Sequence, residues 1–536
     1  MPAANTLTCH SVQQIRTMKQ ILMLFIITFL LFQNIYAQHT YYFSSTTTGE
    51  GKGTAQQPFT SLQKLAQLTL RAGDTVFFHA GEEFTANLSL SNISGTKEHN
   101  IVFTSYGKGR CTIDGGNKEA FIISGSEYFQ IIHLTLTGAG RKAGNTTDGL
   151  KLVNCKNAMV EDIEISGFQK SGLLLYNCVK IEVSNVSAHE NGFAGILVEG
   201  DYQKRISNNI HLINCRTYNN PGDPTALDNH SGNGILAGNC RNVLIEYCTA
   251  TNNGWDMPRV GNGPVGIWAY EADSIIIQHC ISYRNKTAKG AADGGGFDLD
   301  GGVSNSIIQY CLSYENWGSG YGIYQYNSAS KWYNNTVRYC ISINDGFITD
   351  QASAMLIWNG RNGDSTFTDF YAYNNFFYND RKYAFGFDPQ SQHRKFSFFN
   401  NIFIAADTSN IFNGIDSSVN DTFSGNVWMH KSGGFKQANF ADLAAWATAT
   451  GYEQTNGKLV GTTFQHPLFN IPSNIDITNP YSLEKDPLLL TLCNGILHGK
   501  GIDIQKMFSV NTGTRDFFGH SIPLGELIEP GVCEIK

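Results

Sequence analysis

A parallel β-helix, a solenoid of short strands, is the fold class the sequence predicts, and three observations predict it. A strand-turn phrase recurs: IEVSNVSAHEN at Ile181, IHLINCRTYNN at Ile210, VLIEYCTATNN at Val243, IIIQHCISYRN at Ile275, SIIQYCLSYEN at Ser306, TVRYCISIND at Thr336 and FYAYNNFFYND at Phe370. One position in it, held by Asn185, Cys215, Cys248, Cys280, Cys311, Cys340 and Asn375, returns every 29 to 35 residues, with looser echoes at Asn401 and Asn426. The phrases alternate apolar with polar residues, are rich in Ile, Val, Tyr and Phe, and end in Asn and Gly. Each coil therefore holds short strands rather than the helices of other repeat proteins.

A second strand of each coil stacks when aligned on its opening glycine: GILVEG (Gly195), GILAGN (Gly234), GIWAYE (Gly266), GFDLDG (Gly296), GIYQYN (Gly322), then MLIWNG (Met355). Strand side chains alternate faces. One set reads Ile196, Ile235, Ile267, Phe297, Ile323, Met355 and Val198, Ala237, Ala269, Leu299, Gln325, Ile357, apolar but for Gln325, and is expected to face inward. The opposite set reads Leu197, Leu236, Trp268, Asp298, Tyr324, Leu356 and Glu199, Gly238, Tyr270, Asp300, Tyr326, Trp358, and is expected to form an exposed strip. Exposed aromatics in such number mark a binding surface. Flat rings beside carboxylates suit sugars, whose apolar faces cover the rings while acids and amides meet the hydroxyls.

The sequence resembles the secreted right-handed β-helix proteins of the pectin-lyase-like superfamily over roughly residues 40 to 430. In that superfamily an Asn ladder occupies the turn where this chain alternates Asn and Cys. IVFTSYGKGRCTIDGG (101–116) is similar to the opening segment of many bacterial β-helix proteins, and RDFFGHSIPLGELIEPGVCEI resembles their closing segment. The resemblance implies a polysaccharide partner and, by the activity best known there, a calcium-dependent lyase.

In chain order, the first feature is export. Met18, Lys19, the apolar run 21–32 and Ile35-Tyr36-Ala37 have the charged start, apolar middle and small residue of a signal peptide over residues 1–37, with Met18 as a candidate start. The run is short for a membrane span and nothing later approaches about 20 apolar residues. The expectation is an exported monomer, periplasmic or extracellular, with no membrane span after signal removal. Residues 38–116 read as an N-terminal cap and first coils, with a short helix over 61–70 covering the open end of the core. Residues 117–430 carry the main repeats and the glycan groove. Residues 431–536 read as a C-terminal capping region with a helical stretch in 432–453.

A formal charge of −7 and a pI of about 6.1 argue against a nucleic-acid partner, which would need a basic stripe. Most of the twelve cysteines recur at two coil positions and read as stacked buried thiols. Cys493 with Cys533 is the candidate disulfide pair.

The strip supplies the chemistry. Asp298 and Asp300, two apart on one face, have Cα atoms about 6.6 Å apart, near the carboxyl separation of about 6.5–9.5 Å that inverting glycoside hydrolysis uses. One acid would protonate the glycosidic oxygen and the other activate water, with no cofactor. Long loops, 219–234, 252–263 and 284–296, are expected to wall the strip and bring Asp228, His230, Trp255, Asp256, Arg259, Lys286, Lys289 and Asp293 near it. A lyase reading assigns Asp298, Asp300 and Asp293 to Ca²⁺ through oxygen ligands and Lys289, Lys286 or Arg259 to the base. Against it, the strip positions hold no Lys or Arg, and the acid-pair and His-Gly motifs typical of polygalacturonases are absent too. In either case Glu199, Trp268, Tyr270, Tyr324, Tyr326, Trp358, Arg259 and His230 are the candidate substrate contacts. A non-catalytic glycan-binding β-helix remains the alternative from another class.

Overall fold

A computed structural model describes residues 38–348, 353–360, 363–388, 392–414, 421–523, 525 and 528–534. The export signal read from residues 1–37 lies outside them. Strands Ala194–Glu199, Asn233–Gly238, Val265–Tyr270, Gly295–Leu299, Tyr321–Gln325 and Met355–Asn359 lie side by side, all parallel, within a sheet of twelve among the described residues. The remaining strands of the coils form a longer parallel sheet. It turns a corner between strands such as Ser207–Ile213 and Arg216–Tyr218 at left-handed residues, Asn214 (φ 54°) among them. Asn tolerates that backbone because its short polar side chain bonds locally.

The apolar columns fill the core. Ile196, Ile235, Ile267, Phe297, Ile323 and Met355 are fully buried, as are Val198, Ala237, Ala269, Leu299 and Ile357. The exception, Gln325, is equally buried but satisfied. Its Oε1 accepts from the Gly302 amide at 3.0 Å and its Nε2 donates to the carbonyls of Ser330 (3.0 Å) and Thr366 (3.2 Å). One polar side chain thus ties together the backbones of three loop segments.

The repeat has two ladders where one was expected. In the first, Cys215 and Cys248 donate their amides to the sulfurs of Cys248 and Cys280 at 3.4 Å. The column continues through Cys340, Asn375, Asn401 and Asn426. Asn185 does not belong to it: Ser187 pairs with Arg216, so Val186 is the counterpart of Cys215, and Asn185 is an exposed corner residue (φ 56°). The second ladder is built from the residues that close each phrase, Asn191, Asn220, Asn253, Asn285 and Asn316, and ends on Asp345. Each amide oxygen accepts from the backbone of the coil before it, which pins the turn from which the active-face strand departs.

At the N-terminal end a 3₁₀ helix, Leu62–Gln67, capped by Ser61 Oγ, buries Leu62 and Leu65 against the first coils. At the other end the helix Leu443–Thr450, capped by Asp442 and closed by the left-handed Gly451, sets Trp446 against Phe412 and Trp428. Beyond it the tail does more than cover an end. It runs back along the flank, placing Ile471, Ile475, Leu489 and Phe517 on the outward residues Ile281, Leu312, Ile341 and Phe376 of the long sheet. The carbonyls of Ile475 and Ile477 accept from Arg284 and Tyr314. Cys493 and Cys533 form a disulfide within this tail, and the nine other described cysteines are free and buried.

Candidate active site

In the three central coils glycine opens the active-face strand because a serine of the neighbouring strand stands where a Cβ would be. At Gly266, Gly296 and Gly320 a Cβ would come within 2.0–2.4 Å of Ser282, Ser313 and Ser342 Oγ. The glycine equivalent to Gly296 is therefore Gly320, not Gly322. Phe297 pairs with Tyr321, Asp298 with Gly322 and Leu299 with Ile323. Aligning on Gly322 placed that coil two residues out of register. Faces survive an even shift, but neighbours change: Asp298 lies beside a glycine, and Tyr324, paired with Trp358, reaches over it.

That glycine builds the site. A Cβ at Gly322 would lie 2.7 Å from Tyr324 Cε2 and 3.1 Å from Asp298 Cγ. Gly322→Ala is accordingly expected to displace both groups and lower kcat by about 100-fold with an unchanged melting temperature. Steady-state kinetics and thermal unfolding of the variant check this.

The strip faces out of the core yet is not exposed. Leu197, Leu236, Trp268, Asp298 and Leu356 are each 8% exposed or less, because the long loops fold over them. Together they enclose a cavity of about 1090 Å³ lined by Trp268, Tyr270, Asp293, Asp298, Asp300, Tyr324, Tyr326, Trp358 and His230. The loops are stitched to one another. Asn262 Nδ2 donates to Asn229 Oδ1 at 2.9 Å, and Asp293 Oδ2 accepts from the Gly263 amide at 2.8 Å.

His230 is a wall residue rather than a surface one. It is buried against Trp268, 4.9 Å between ring centroids. Burial, and then Arg259, lower its pKa to about 4. Asn233 Oδ1 accepts from Trp268 Nε1, so its amide donates to His230 Nδ1 at 3.0 Å and Nε2 carries the imidazole proton. Neutral His230 is a fixed hydrogen-bonding partner.

Other expected contacts lie elsewhere. Glu199 supports Tyr270 from behind: its carboxylate accepts from the Tyr270 hydroxyl at 2.6 Å and from Asn239 at 2.7 Å. Tyr270 reaches it because the neighbouring coil offers Gly238, where a Cβ would meet the ring at 2.2 Å. Arg259 turns back to its own loop, donating to the Asn262 carbonyl at 2.8 Å. Lys289 is exposed and outside the cavity wall, as is Asp228. Trp255 is 48% exposed, Asp256 pairs with Arg141 and Lys142, and Lys286 lines a different cavity.

The carboxyl groups dominate the electrostatics. Asp298 is 2% exposed and its Oδ1 is a buried oxygen without a hydrogen-bond partner. Burial, then the charges of Asp300 and Asp293, hold its pKa well above the usual range. Burial raises Asp300 to about 7, although the Gly301 amide donates to it at 2.7 Å, and raises Asp293 to about 6. Desolvation favours the neutral acid, and neighbouring anions reinforce that. Trp332 Nε1, donating to the Leu299 carbonyl at 3.0 Å, holds the backbone between the two aspartates.

Asp293 (about 6), Asp300 (about 7), the ladder-closing Asp345 (about 7) and Glu453 (about 7) all have folded pKa values raised above their ordinary ones. The fold binds more protons than the unfolded chain, so this contribution is full below about pH 4 and is lost as pH rises through 6 to 7. Melting at about pH 5 is expected above that at about pH 8, and Asp300→Asn is expected to narrow the gap.

As a calcium site the cluster does not fit. The donors are oxygens, as a hard cation requires, but among the described residues the one set of three possible metal ligands whose atoms all lie within 4.8 Å is Asp516, His520 and Cys533. The Cys533 sulfur there is in a disulfide.

Sequence reasoning missed Glu271, wholly buried beside the cavity. Its Oε1 accepts from the Ser330 amide at 2.8 Å and from the Tyr326 hydroxyl at 3.4 Å. It follows Tyr270 at the end of a strand, and the one available signal was an acid adjoining two aromatics. Asn229, Asn262 and Ser319 also line the cavity and looked like ordinary loop residues.

A family model described as the Pel9A-like right-handed β-helix region matches residues 41–353, more than half of the chain. The chain belongs to this family. Solved structures similar to this Pel9A-like protein include a GH136 lacto-N-biosidase from Eubacterium ramulus, at 16% identity and TM-score 0.46, covering 70% of this chain and 68% of that one. Pectate lyase Pel9A matches at 15% identity and TM-score 0.43 over 94% of this chain and 98% of its own. A rhamnogalacturonan lyase matches at 14% identity and TM-score 0.40, over 71% and 87%. No curated protein sequence matches significantly. Among the described residues no helix is long and apolar enough to cross a membrane.

Proposed function

We propose that this Pel9A-like protein is an exported glycoside hydrolase, periplasmic or extracellular, that cleaves a neutral stretch of polysaccharide with Asp298 as acid and Asp300 as base. The observation that carries this reading is the composition of the cavity wall. Three carboxyl groups, Asp298 buried and Asp293 and Asp300 half-buried, stand among seven Phe, Tyr and Trp rings, and among the described residues no Lys or Arg lines the cavity. A uronate unit entering there would meet acids and no cation, and the lysine expected as a lyase base is outside. Neutral pyranoses would instead lay their faces on Trp268, Tyr270, Tyr324 and Trp358.

In this reaction the Asp298 carboxyl proton passes to the glycosidic oxygen as its bond to the anomeric carbon breaks. Water adds to that carbon from the opposite side and gives its proton to Asp300. The assignment follows the environments: Asp298, deeper and without a donor to its Oδ1, keeps its proton, whereas Asp300 has the Gly301 amide to stabilise its charge. Reducing-end release from xylan, arabinan, galactan and mixed-linkage glucan tests the proposal. Rate should rise as pH passes through about 7 and fall again where Asp298 ionises, with Asp300→Asn removing the rising limb. A pH-independent rate would contradict the pair, and binding of these glycans without any product would leave a glycan-binding role.

A further inference from the structure

A second cavity, of about 600 Å³, has the opposite chemistry. Arg216, Arg284, Lys286 and Arg381 line it with a single carboxylate, Glu315. Glu315 Oε2 accepts from Arg284 Nε at 2.8 Å, so Glu315 serves Arg284. Arg216, Lys286 and Arg381 have no carboxylate partner among the described residues. Each instead lies over an aromatic ring: Arg216 over Tyr218 at 5.8 Å, Lys286 over Trp317 at 6.0 Å and Arg381 over Phe347 at 4.4 Å. In a chain of net charge −7, three cations without acidic partners in one cleft are a concentrated exception. Stacking holds a cation in place without neutralising it.

The cleft adjoins the first cavity through three pieces of backbone. Trp317 lines the second cavity while Gly318 and Ser319 line the first; Phe347 lines the second and Ile348 the first. The loop bearing Lys286 continues to Asp293 in the first. A ligand emerging from the first cavity over this turn meets the rings that carry Lys286 and Arg381, Trp317 and Phe347.

We infer that the second cavity is a binding site for the anionic groups, carboxylate or sulfate, of an acidic saccharide. Resting on the glycan reading, this makes the substrate a heteropolysaccharide whose neutral units occupy the acid-lined cavity while an acidic neighbour or branch is held by Arg216, Lys286 and Arg381. The rings hold the cations in place, and carboxylate or sulfate oxygens take charge-assisted bonds from guanidinium and ammonium groups.

Calorimetric titration of the full chain with oligogalacturonates, with sulfated galactan oligosaccharides and with neutral galacto-oligosaccharides tests this, using wild type, Arg216→Gln/Arg381→Gln and Asp298→Asn/Asp300→Asn. At least one acidic series is expected to bind, more weakly as salt rises. The arginine double variant should lose about tenfold or more in affinity, and the aspartate double variant should keep it. Binding by one acidic series alone identifies the group as uronate or sulfate. Acidic oligosaccharides that bind no better than neutral ones, or equally well to the arginine variant, would overturn the inference. Loss of hydrolysis in the aspartate variant is read separately, so either proposal can fail alone.

Discussion

Asp298→Asn is expected to lower kcat by about a thousandfold while KM stays within a few-fold, because the amide keeps the shape and loses the proton. Everything around Asp298 favours the neutral acid: burial to 2% exposure, an oxygen without a donor, and two further carboxyl groups in the same cavity. A carboxylate placed only for solubility would not be roofed by loops and set beside the Tyr324 ring. The loss should exceed that from Trp358→Ala, which removes a contact made by substrate and transition state alike. Single-turnover rates and substrate titration of the two variants separate these effects.

The largest stability effect is expected from the turn ladder. Asn253 is 1% exposed. Its Oδ1 accepts from the Asn220 amide at 3.1 Å and from Asn220 Nδ2 at 2.8 Å, and its own Nδ2 donates to the Thr217 carbonyl at 3.2 Å and Asn285 Oδ1 at 2.9 Å. Asn253→Leu keeps roughly the volume and abandons all four bonds, leaving two donors and a carbonyl unpaired in a dry turn. At about 1–3 kcal/mol for each unsatisfied buried group, a loss of about 3–5 kcal/mol is expected. Denaturant unfolding measures it. The loops 219–234 and 252–263 flank this turn, so activity should fall before the fold melts. Asn185→Leu, at an exposed corner outside the ladder, should cost far less.

What was legible in the sequence followed from period. Alternation fixes faces, so every inward column from Ile196 to Ile357 is buried, and a spacing near 30 residues marks the coils. Register between coils is less legible because GSGYG offers three glycines, and it takes the pairing of Asp298 with Gly322 and the contact of Gly320 with Ser342 Oγ to show that Gly320 is the counterpart of Gly296. The Asn that closes each phrase carries no sign of its burial, since Asn at a turn usually serves a left-handed backbone. Loop placement could not be read at all. Whether Lys289 or Asp293 turns inward depends on bonds such as Asp293 to the Gly263 amide, which join loops 30 residues apart. The second cavity escaped for the same reason: Arg216, Lys286 and Arg381 come from three coils and share no motif.

Hydrolysis by the aspartate pair is the central claim. The most direct measurement is to digest one neutral polysaccharide and one polyuronate with the purified protein, with and without EDTA, following reducing ends and the ultraviolet absorbance of unsaturated uronate together. Reducing ends from the neutral polymer, no ultraviolet absorbance, indifference to EDTA and loss of product in Asp298→Asn are expected. Unsaturated products from the polyuronate that disappear in EDTA would contradict the claim and return the cavity to metal-dependent elimination.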